Sequence, residues 1–472
     1  MRRVTGRVLV LLLLAGACGE GPAPAPPAEV TPGLLPPPEL KTAEAWLRGV
    51  PEPDAVLLEA DGLERYNRLL IRSSGGALED LAEFPRALGR EELLGRLSYD
   101  PVGRRTLFRD GRPVPSAVLE ALRDQVARDR VRDTNPVSFG VTVRRTDLRM
   151  WPSAEGMYEA PDDRHFDVLQ ATALDPAEPL VVLHRSRDGR WGFVRAYHCD
   201  GWLPAEEIGE VADREDWMAW VRPARPLVVA GVRLDLGAGR VFQMGARIPL
   251  APGPGAGRTR QAWLPERAPS GAVRGVRVPI PGDAAVHDGP LPYTRRNLLV
   301  QALRWLDEPY GWGGLGGGVD CSGLTGAVFR SLGVVLPRNS RLQESTPGPR
   351  VSLAGMPREE VLARLLTLPP GATLHLPGHV MLLLGRLDGR PWALHALAGH
   401  RPRIFPGLPG AREEIMRVVA SDLDLVRGNG MPLLASLTSV KLMEPPGDGT
   451  LRSFAGDAGI RTHGPGGRSI GP

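Results

Sequence analysis

Cys321 stands where a glycine-rich segment, 311–318, gives way to helical spacing over 322–332, with Leu324, Val328 and Leu332 on one face. A helix N-terminus carries partial positive charge, which stabilises a thiolate and lowers its pKa. The thiolate is the nucleophilic form, so the position suits covalent catalysis. Flanking glycines let backbone N–H groups approach a reacting carbonyl, as an oxyanion hole requires. The same local context fits a buried, inert cysteine equally well, so the histidines must decide. Of the nine, His379 opens a strand-like run, 379–385, and His395 lies in the next, 392–398. Two neighbouring antiparallel strands would set both imidazoles side by side across from a helix N-terminus. His379 would then take the proton from Cys321, and His395 would hold its tautomer and orientation. His375 rivals His379 as base and His400 rivals His395 as orienter; spacing alone leaves both alternatives open.

The elements that must position these groups are legible in outline. Residues 294–306 (TRRNLLVQALRWL) read as an amphipathic helix with Leu298, Leu299, Ala302, Leu303 and Leu306 as its apolar face. Three β-like runs, 372–377, 379–385 and 392–398, follow the cysteine, with Leu387-Asp388-Gly389-Arg390-Pro391 as the turn before the last. Upstream, 41–135 has helical periodicity, including Ala43, Trp46 and Leu47 and later Val118, Leu119, Leu122 and Val126, with Pro115 and Ser116 opening the later helix. From about 138 the texture changes to short strands. Asp188-Gly189 is a hairpin signal between two apolar runs and Asp200-Gly201 marks a further turn, so this stretch reads as a small barrel. A second β-rich stretch covers 225–285, interrupted by a Pro/Gly-rich segment at 251–259.

The segment 309–343, PYGWGGLGGGVDCSGLTGAVFRSLGVVLPRNSRLQ, resembles the nucleophile region of the NlpC-type peptidoglycan cysteine peptidases, a papain-like superfamily. The block 378–396, GHVMLLLGRLDGRPWALHA, resembles that family's second motif. The resemblance implies Cys321 as nucleophile, His379 as base and His395 as the third, polar residue. It also implies hydrolysis of the γ-D-glutamyl–diamino acid bond of murein stem peptides. In relatives of this kind the substrate's free N-terminal L-Ala is held beside the nucleophile, which by position assigns Asp320, Ser322 and Ser340 to that pocket. A carboxylate can pair with an ammonium and hydroxyls can complete its hydrogen bonds. The structural alternative is that Ser322 caps the helix and Asp320 shapes the turn.

The likeness extends upstream. The stretch from RRTDLRMWPS to GWLP resembles a bacterial SH3-like domain, MGARIPLA resembles part of a second, and 41–135 resembles the N-terminal stabilising domain of a multidomain subfamily. Some relatives close the pocket with a Tyr just before the Gly-Trp of the first such domain. Here Tyr197 is displaced from that place and Cys199 stands nearer it, so the role is not carried over; Cys199 reads as a small packed residue.

The N-terminus, MRRVTGRVLVLLLLAGACGE, has a basic start, an apolar core too short to span a bilayer and small residues leading into Cys18. This resembles a bacterial lipobox, which implies cleavage and lipidation at Cys18. The Pro/Ala-rich residues after it read as an extended tether, and the tail after about 446 as disordered. Together they predict an exported lipoprotein on the periplasmic face of a bacterial membrane, with the outer membrane favoured.

Length and composition agree. At about 100–200 residues per domain, 472 residues allow three to five domains. Apolar residues at 42% and charged at 24% exclude a wholly disordered chain and a multi-span membrane protein. Net charge is +4 and the only lysines are Lys41 and Lys441, so the arginines form no nucleic-acid footprint. The expected fold is α+β: a papain-like catalytic domain (289–445) preceded by two small SH3-like β-barrels (136–215 and 216–288) and a helical N-terminal domain (41–135), after a signal (1–18) and linker (19–40). The expected partners are murein peptides or peptidoglycan and, through the lipid, a membrane; the chemistry calls for no cofactor or metal. A non-catalytic wall-binding lipoprotein and a papain-like amidase or acyl hydrolase acting on another bond are the alternatives.

Overall fold

The computed structural model describes residues 40–251, 260–401, 403–405, 408–409 and 411–446. Cys18, the signal and linker, most of the Pro/Gly-rich segment at 251–259 and most of the tail lie outside the described residues.

The catalytic region is a six-stranded antiparallel sheet faced by helices. Its order is Arg350–Ser352, Ser439–Lys441, Thr373–Leu376, His379–Leu387, Arg390–His400 and Glu413–Asp422. The three expected β-like runs appear as the third, fourth and fifth strands of this order. The turn expected at Asp388-Gly389 joins two of them, with φ of 50° and 73°, a backbone that Asp and Gly tolerate best. The expected amphipathic helix is Arg295–Leu303; Thr294 caps it by accepting from the Asn297 N–H at 3.0 Å. The helix that the candidate nucleophile opens is Cys321–Ser331, with Leu324, Val328 and Phe329 buried against the sheet.

The first barrel is a seven-stranded sheet in the order Ile208–Val211, Ser138–Thr142, Pro179–Arg185, Trp191–Arg195, Asp200–Pro204, Thr146–Arg149 and Gln170–Leu174. Here one expected turn is corrected. Asp200-Gly201 begins a strand, and the chain turns earlier, at 196–199. Gly201 is required there for contact and not for turning: a Cβ on it would lie 2.6 Å from Leu148 Cγ. The second β-rich stretch forms three small sheets around its own core of Leu227, Val229, Phe242, Ile248 and Leu264. Its expected start at 216 is too early. Residues Arg214–Val221 are a helix whose Trp217 and Trp220 are buried in the first barrel's cluster, with the Trp217 indole N–H donating to Gly140 O at 2.9 Å.

The N-terminal region divides between two cores. Trp46, Leu47, Tyr66, Leu70 and Leu78 share a cluster with Leu299, Trp305, Phe329 and Trp392 of the catalytic region. Leu81, Phe84, Leu93, Leu107 and Val126 share one with Val141, Trp202 and Trp217 of the barrel. Each fully buried side chain of this size contributes roughly 1.5–3 kcal/mol, so both halves are held by the domains they lie on.

Candidate active site

Two antiparallel strands bring two histidines together. His379 opens one strand, His395 lies in the next, and His379 Nε2 is 2.9 Å from His395 Nδ1. His395 is fully buried, and its Nε2 is 3.0 Å from Ser421 Oγ on the third strand. The Ser421 hydroxyl hydrogen is committed to Asp422 O at 2.9 Å. Counting donors then sets every proton. Ser421 Oγ accepts from His395 Nε2–H, His395 Nδ1 accepts from His379 Nε2–H, and His379 Nδ1 is left as a free lone pair. Ser421 is a group the sequence reading missed, because it lies on a strand far from either motif.

Cys321 is the first residue of its helix and is partly exposed. The N–H groups of Val380, next to His379, and of Ser322 face its sulfur, so the thiol sits at the histidine end of the relay. The rival histidines are elsewhere. His375 is buried at the sheet's other side, with Nε2 2.9 Å from Thr373 Oγ1, and His400 faces Glu413 at 3.5 Å.

The expected thiolate is corrected by its surroundings. Burial, and then the neighbouring Asp320 carboxylate, push the Cys321 thiol up to about 12, outweighing the two backbone amides and Arg338. Burial, and then the Arg427 guanidinium, push the His379 imidazole down to about 4. The resting pair is therefore thiol and neutral imidazole, and the proton moves when the sulfur attacks. Protonating His379 removes the free lone pair, so activity is lost as pH falls. For a peptide that does not titrate in the range, kcat/KM should rise through about pH 4 and stay level well past neutral. An acid limb near 6.5, the ordinary imidazole value, in a pH–rate profile would contradict this burial argument.

Asp320 caps the nucleophile helix, accepting from Gly323 N–H at 2.7 Å, and also binds Gly313 N–H at 2.9 Å. Ser322 Oγ donates to it at 3.2 Å. Of the two structural alternatives, it is the aspartate and not the serine that caps. Its main partner is Arg338, whose two terminal nitrogens address both carboxylate oxygens. Burial works against the charge, but Arg338 and the two N–H groups hold the carboxyl below its ordinary value. Arg338 also donates to Ser322 Oγ and to Thr172 Oγ1, both at 2.9 Å. Thr172 belongs to the barrel strand Gln170–Leu174. Arg338 was missed, although it stands in the Pro-Arg-Asn-Ser motif. Ser340 is the first residue of the helix Ser340–Ser345, half-buried, and its hydroxyl makes no hydrogen bond among the described residues.

The glycine segment lets the barrel approach. Gly313 has φ 58°, and a Cβ there would lie 2.5 Å from Gln170 Cγ; Gln170 Nε2 donates to Gly313 O at 3.0 Å. Trp312 Nε1 donates to Asp167 O at 3.1 Å, and Phe166 packs on both Tyr310 and Trp312. Burial, then the Asp320 carboxylate, keep the Tyr310 phenol protonated, so it remains a hydrogen-bond donor. A cavity of about 80 Å³ lies between barrel and helix, lined in part by Asp320, Ser322, Arg338, Arg330, Arg145 and Tyr197. Arg330 lies over the Tyr197 ring at 5.3 Å and pairs with Asp175 and Glu178 of the barrel at 3.2 and 2.9 Å. Tyr197 thus reaches the cavity despite its displaced place in the sequence. Cys199 packs on a barrel cluster, its thiol donating to Asp200 O at 3.3 Å. Among the described residues no three His, Cys, Asp or Glu side chains form a group that could hold a metal ion.

Residues 307–401 match the NlpC/P60 family model. The chain carries an NlpC/P60 domain. Residues 157–204 match the SH3 domain of SH3b1 type, which covers most of the seven-stranded barrel. A solved NlpC/P60 endopeptidase from Photobacterium damselae subsp. piscicida shares the fold over 85% of this chain and 97% of its own, with a TM-score of 0.69 and 16% identity. The dipeptidyl-peptidase 6 of Lysinibacillus sphaericus is 33% identical over 93 residues, 20% of this chain and 30% of its own length. A "Probable endopeptidase" of Corynebacterium glutamicum is 28% identical over 142 residues, 30% of this chain and 61% of its own. The chain therefore spans less than two thirds of the length of the Lysinibacillus and Corynebacterium proteins, and the likeness to those two lies in a part of each. The fold class is α+β, with an SH3-like domain beside the NlpC/P60 domain.

Proposed function

We propose that the protein is a cysteine endopeptidase that hydrolyses the γ-D-glutamyl–diamino acid bond of murein stem peptides. The observation that carries the reading is the hydrogen-bonded line from Ser421 through His395 to His379, together with the Cys321 sulfur facing the N–H of Val380, the residue after His379. Cys321 Sγ attacks the γ-glutamyl carbonyl carbon as His379 Nδ1 takes the thiol proton. The tetrahedral oxyanion is met by N–H groups at the helix start and by the Tyr310 phenol. As the C–N bond breaks, His379 returns that proton to the leaving amine, leaving a thioester on Cys321. Water, deprotonated by His379, then releases the glutamyl acid and regenerates the thiol. No cofactor enters this sequence.

The cavity beside Asp320, Ser322 and Tyr197 takes the peptide's N-terminal side. Asp320 is already paired with Arg338, so an incoming ammonium meets a carboxylate whose charge is shared; Ser340, with its free hydroxyl, is a further contact. The barrel supplies one wall of this cavity and binds peptidoglycan peptides there. The lipobox-like start supports export and attachment to a membrane through Cys18, which keeps the enzyme near the wall.

Incubation with L-Ala–γ-D-Glu–diaminopimelate and its D-Ala-extended tetrapeptide, followed by mass spectrometry, tests the reading. The expected product is the dipeptide L-Ala–γ-D-Glu. Release of L-Ala, release of D-Ala alone, or no fragment would overturn it.

A further inference from the structure

A second charged group stands at the histidine end of the site, and the relay does not use it. Arg427 donates from Nη2 to Pro377 O at 2.8 Å, two residues before His379. It is half-buried, and after burial its guanidinium is the largest influence on the His379 imidazole. The other arginines around the catalytic centre have acids: Arg338 has Asp320, Arg330 has Asp175 and Glu178, and Arg145 has Asp175. The acids near Arg427 in sequence are committed to other partners, Asp422 to Arg390 and Asp424 to Arg358. Arg427 enters no ion pair among the described residues. Burial lowers its pKa, and no acidic group raises it. Among the described residues one of its five N–H donors is used, by Pro377 O, and the rest of the fork has no partner.

The turn that carries it is well held. Arg427 N–H donates to Met431 O at 2.8 Å, Gly430 N–H to Arg427 O at 2.9 Å, and Met431 N–H to Asn429 Oδ1 at 3.1 Å. Val426 and Pro432 form a β-bridge beneath it. A guanidinium held in place, partly desolvated and lacking a carboxylate is a recognition site for one.

The place of Arg427 indicates which carboxylate. His379 hands its proton to the leaving amine, so the released amino acid lies on the His379 side of the scissile bond. Its α-carboxylate is two bonds from the nitrogen that His379 protonates. We infer that Arg427 binds a free α-carboxylate on the diamino acid that is released, so that the enzyme selects peptides ending at that residue. This inference rests on the peptidase reading above.

The test compares two substrates, L-Ala–γ-D-Glu–diaminopimelate with its α-carboxylate free and the same peptide with that group as a carboxamide. The wild-type protein should favour the free acid by about ten- to hundredfold in kcat/KM, as a charged hydrogen-bond pair gives. In Arg427→Gln that ratio should fall towards one, whatever the absolute rates, and Arg427→Lys, which keeps the charge but loses the fork, should fall between. Equal cleavage of both peptides by the wild type, or a preference that survives Arg427→Gln, overturns the role of Arg427 and leaves the peptidase reading standing. Cleavage of neither peptide by the wild type overturns both.

Discussion

His379→Gln should lower kcat by roughly 10⁴-fold or more, and Cys321→Ala should leave no measurable turnover. Glutamine keeps much of the volume of histidine and a polar end towards His395, but has no basic lone pair for the thiol proton. Because the thiol is held protonated, with a pKa of about 12, it has no thiolate reserve to fall back on at neutral pH. The double variant should be no worse than Cys321→Ala alone, since base and nucleophile act as one unit. His395→Ala acts at one remove. It frees the His379 ring to turn and to change tautomer, and should lower kcat by about 10²–10⁴-fold. These values are read by steady-state kinetics on the diaminopimelate tripeptide. Product formation by Cys321→Ala at the wild-type rate would sink the covalent mechanism.

Arg338→Met should destabilise the protein by about 3–5 kcal/mol. Asp320 is 4% exposed, and its carboxylate would lose both contacts from the guanidinium. The remaining N–H donors of Gly313 and Gly323 cannot neutralise a full charge removed from water. The same change unties Thr172 on the barrel from the nucleophile loop. Removing the charge as well, in Asp320→Asn with Arg338→Met, should recover a large part of the loss, because the penalty comes from the orphaned carboxylate. Urea unfolding followed by tryptophan fluorescence measures both variants against the wild type. A single-variant loss below about 1 kcal/mol would mean that water reaches Asp320.

The parts of the site that were legible in sequence share one property: each is carried by local pattern. Cys321 follows a glycine run and begins a helix, and His379 and His395 sit in apolar strands joined by an Asp-Gly turn. Short-range spacing is enough to put such groups on adjacent elements. Ser421, Arg338 and Arg427 depend on which strand or loop comes to lie beside which, and no spacing rule specifies that. Arg338 was visible as part of a motif, but its partner Thr172 is 166 residues away. The turn misplaced at Asp200-Gly201 has a similar cause. The glycine answers a contact with Leu148 on a neighbouring strand, and in sequence such a glycine looks like a turn signal. The N-terminal region read as one helical domain because helical periodicity records which face is buried and not which core buries it.

That division of the N-terminal region has a consequence for biosynthesis. Trp46 and Leu70 complete a core whose other members include Phe329, Trp392 and Ala420. Tyr66 reaches Pro347 O at 2.9 Å across 281 residues of chain. The catalytic core therefore closes only after nearly the whole polypeptide exists, while the barrel cluster, drawn from Leu81 to Trp220, can form much sooner. Loop closure over such separations is entropically slow, so the barrel should become resistant to protease first and the catalytic region last. Until then the apolar stripe of the first helices has no partner. A nascent chain halted before its final strands would present a finished barrel flanked by two sticky, unmatched halves.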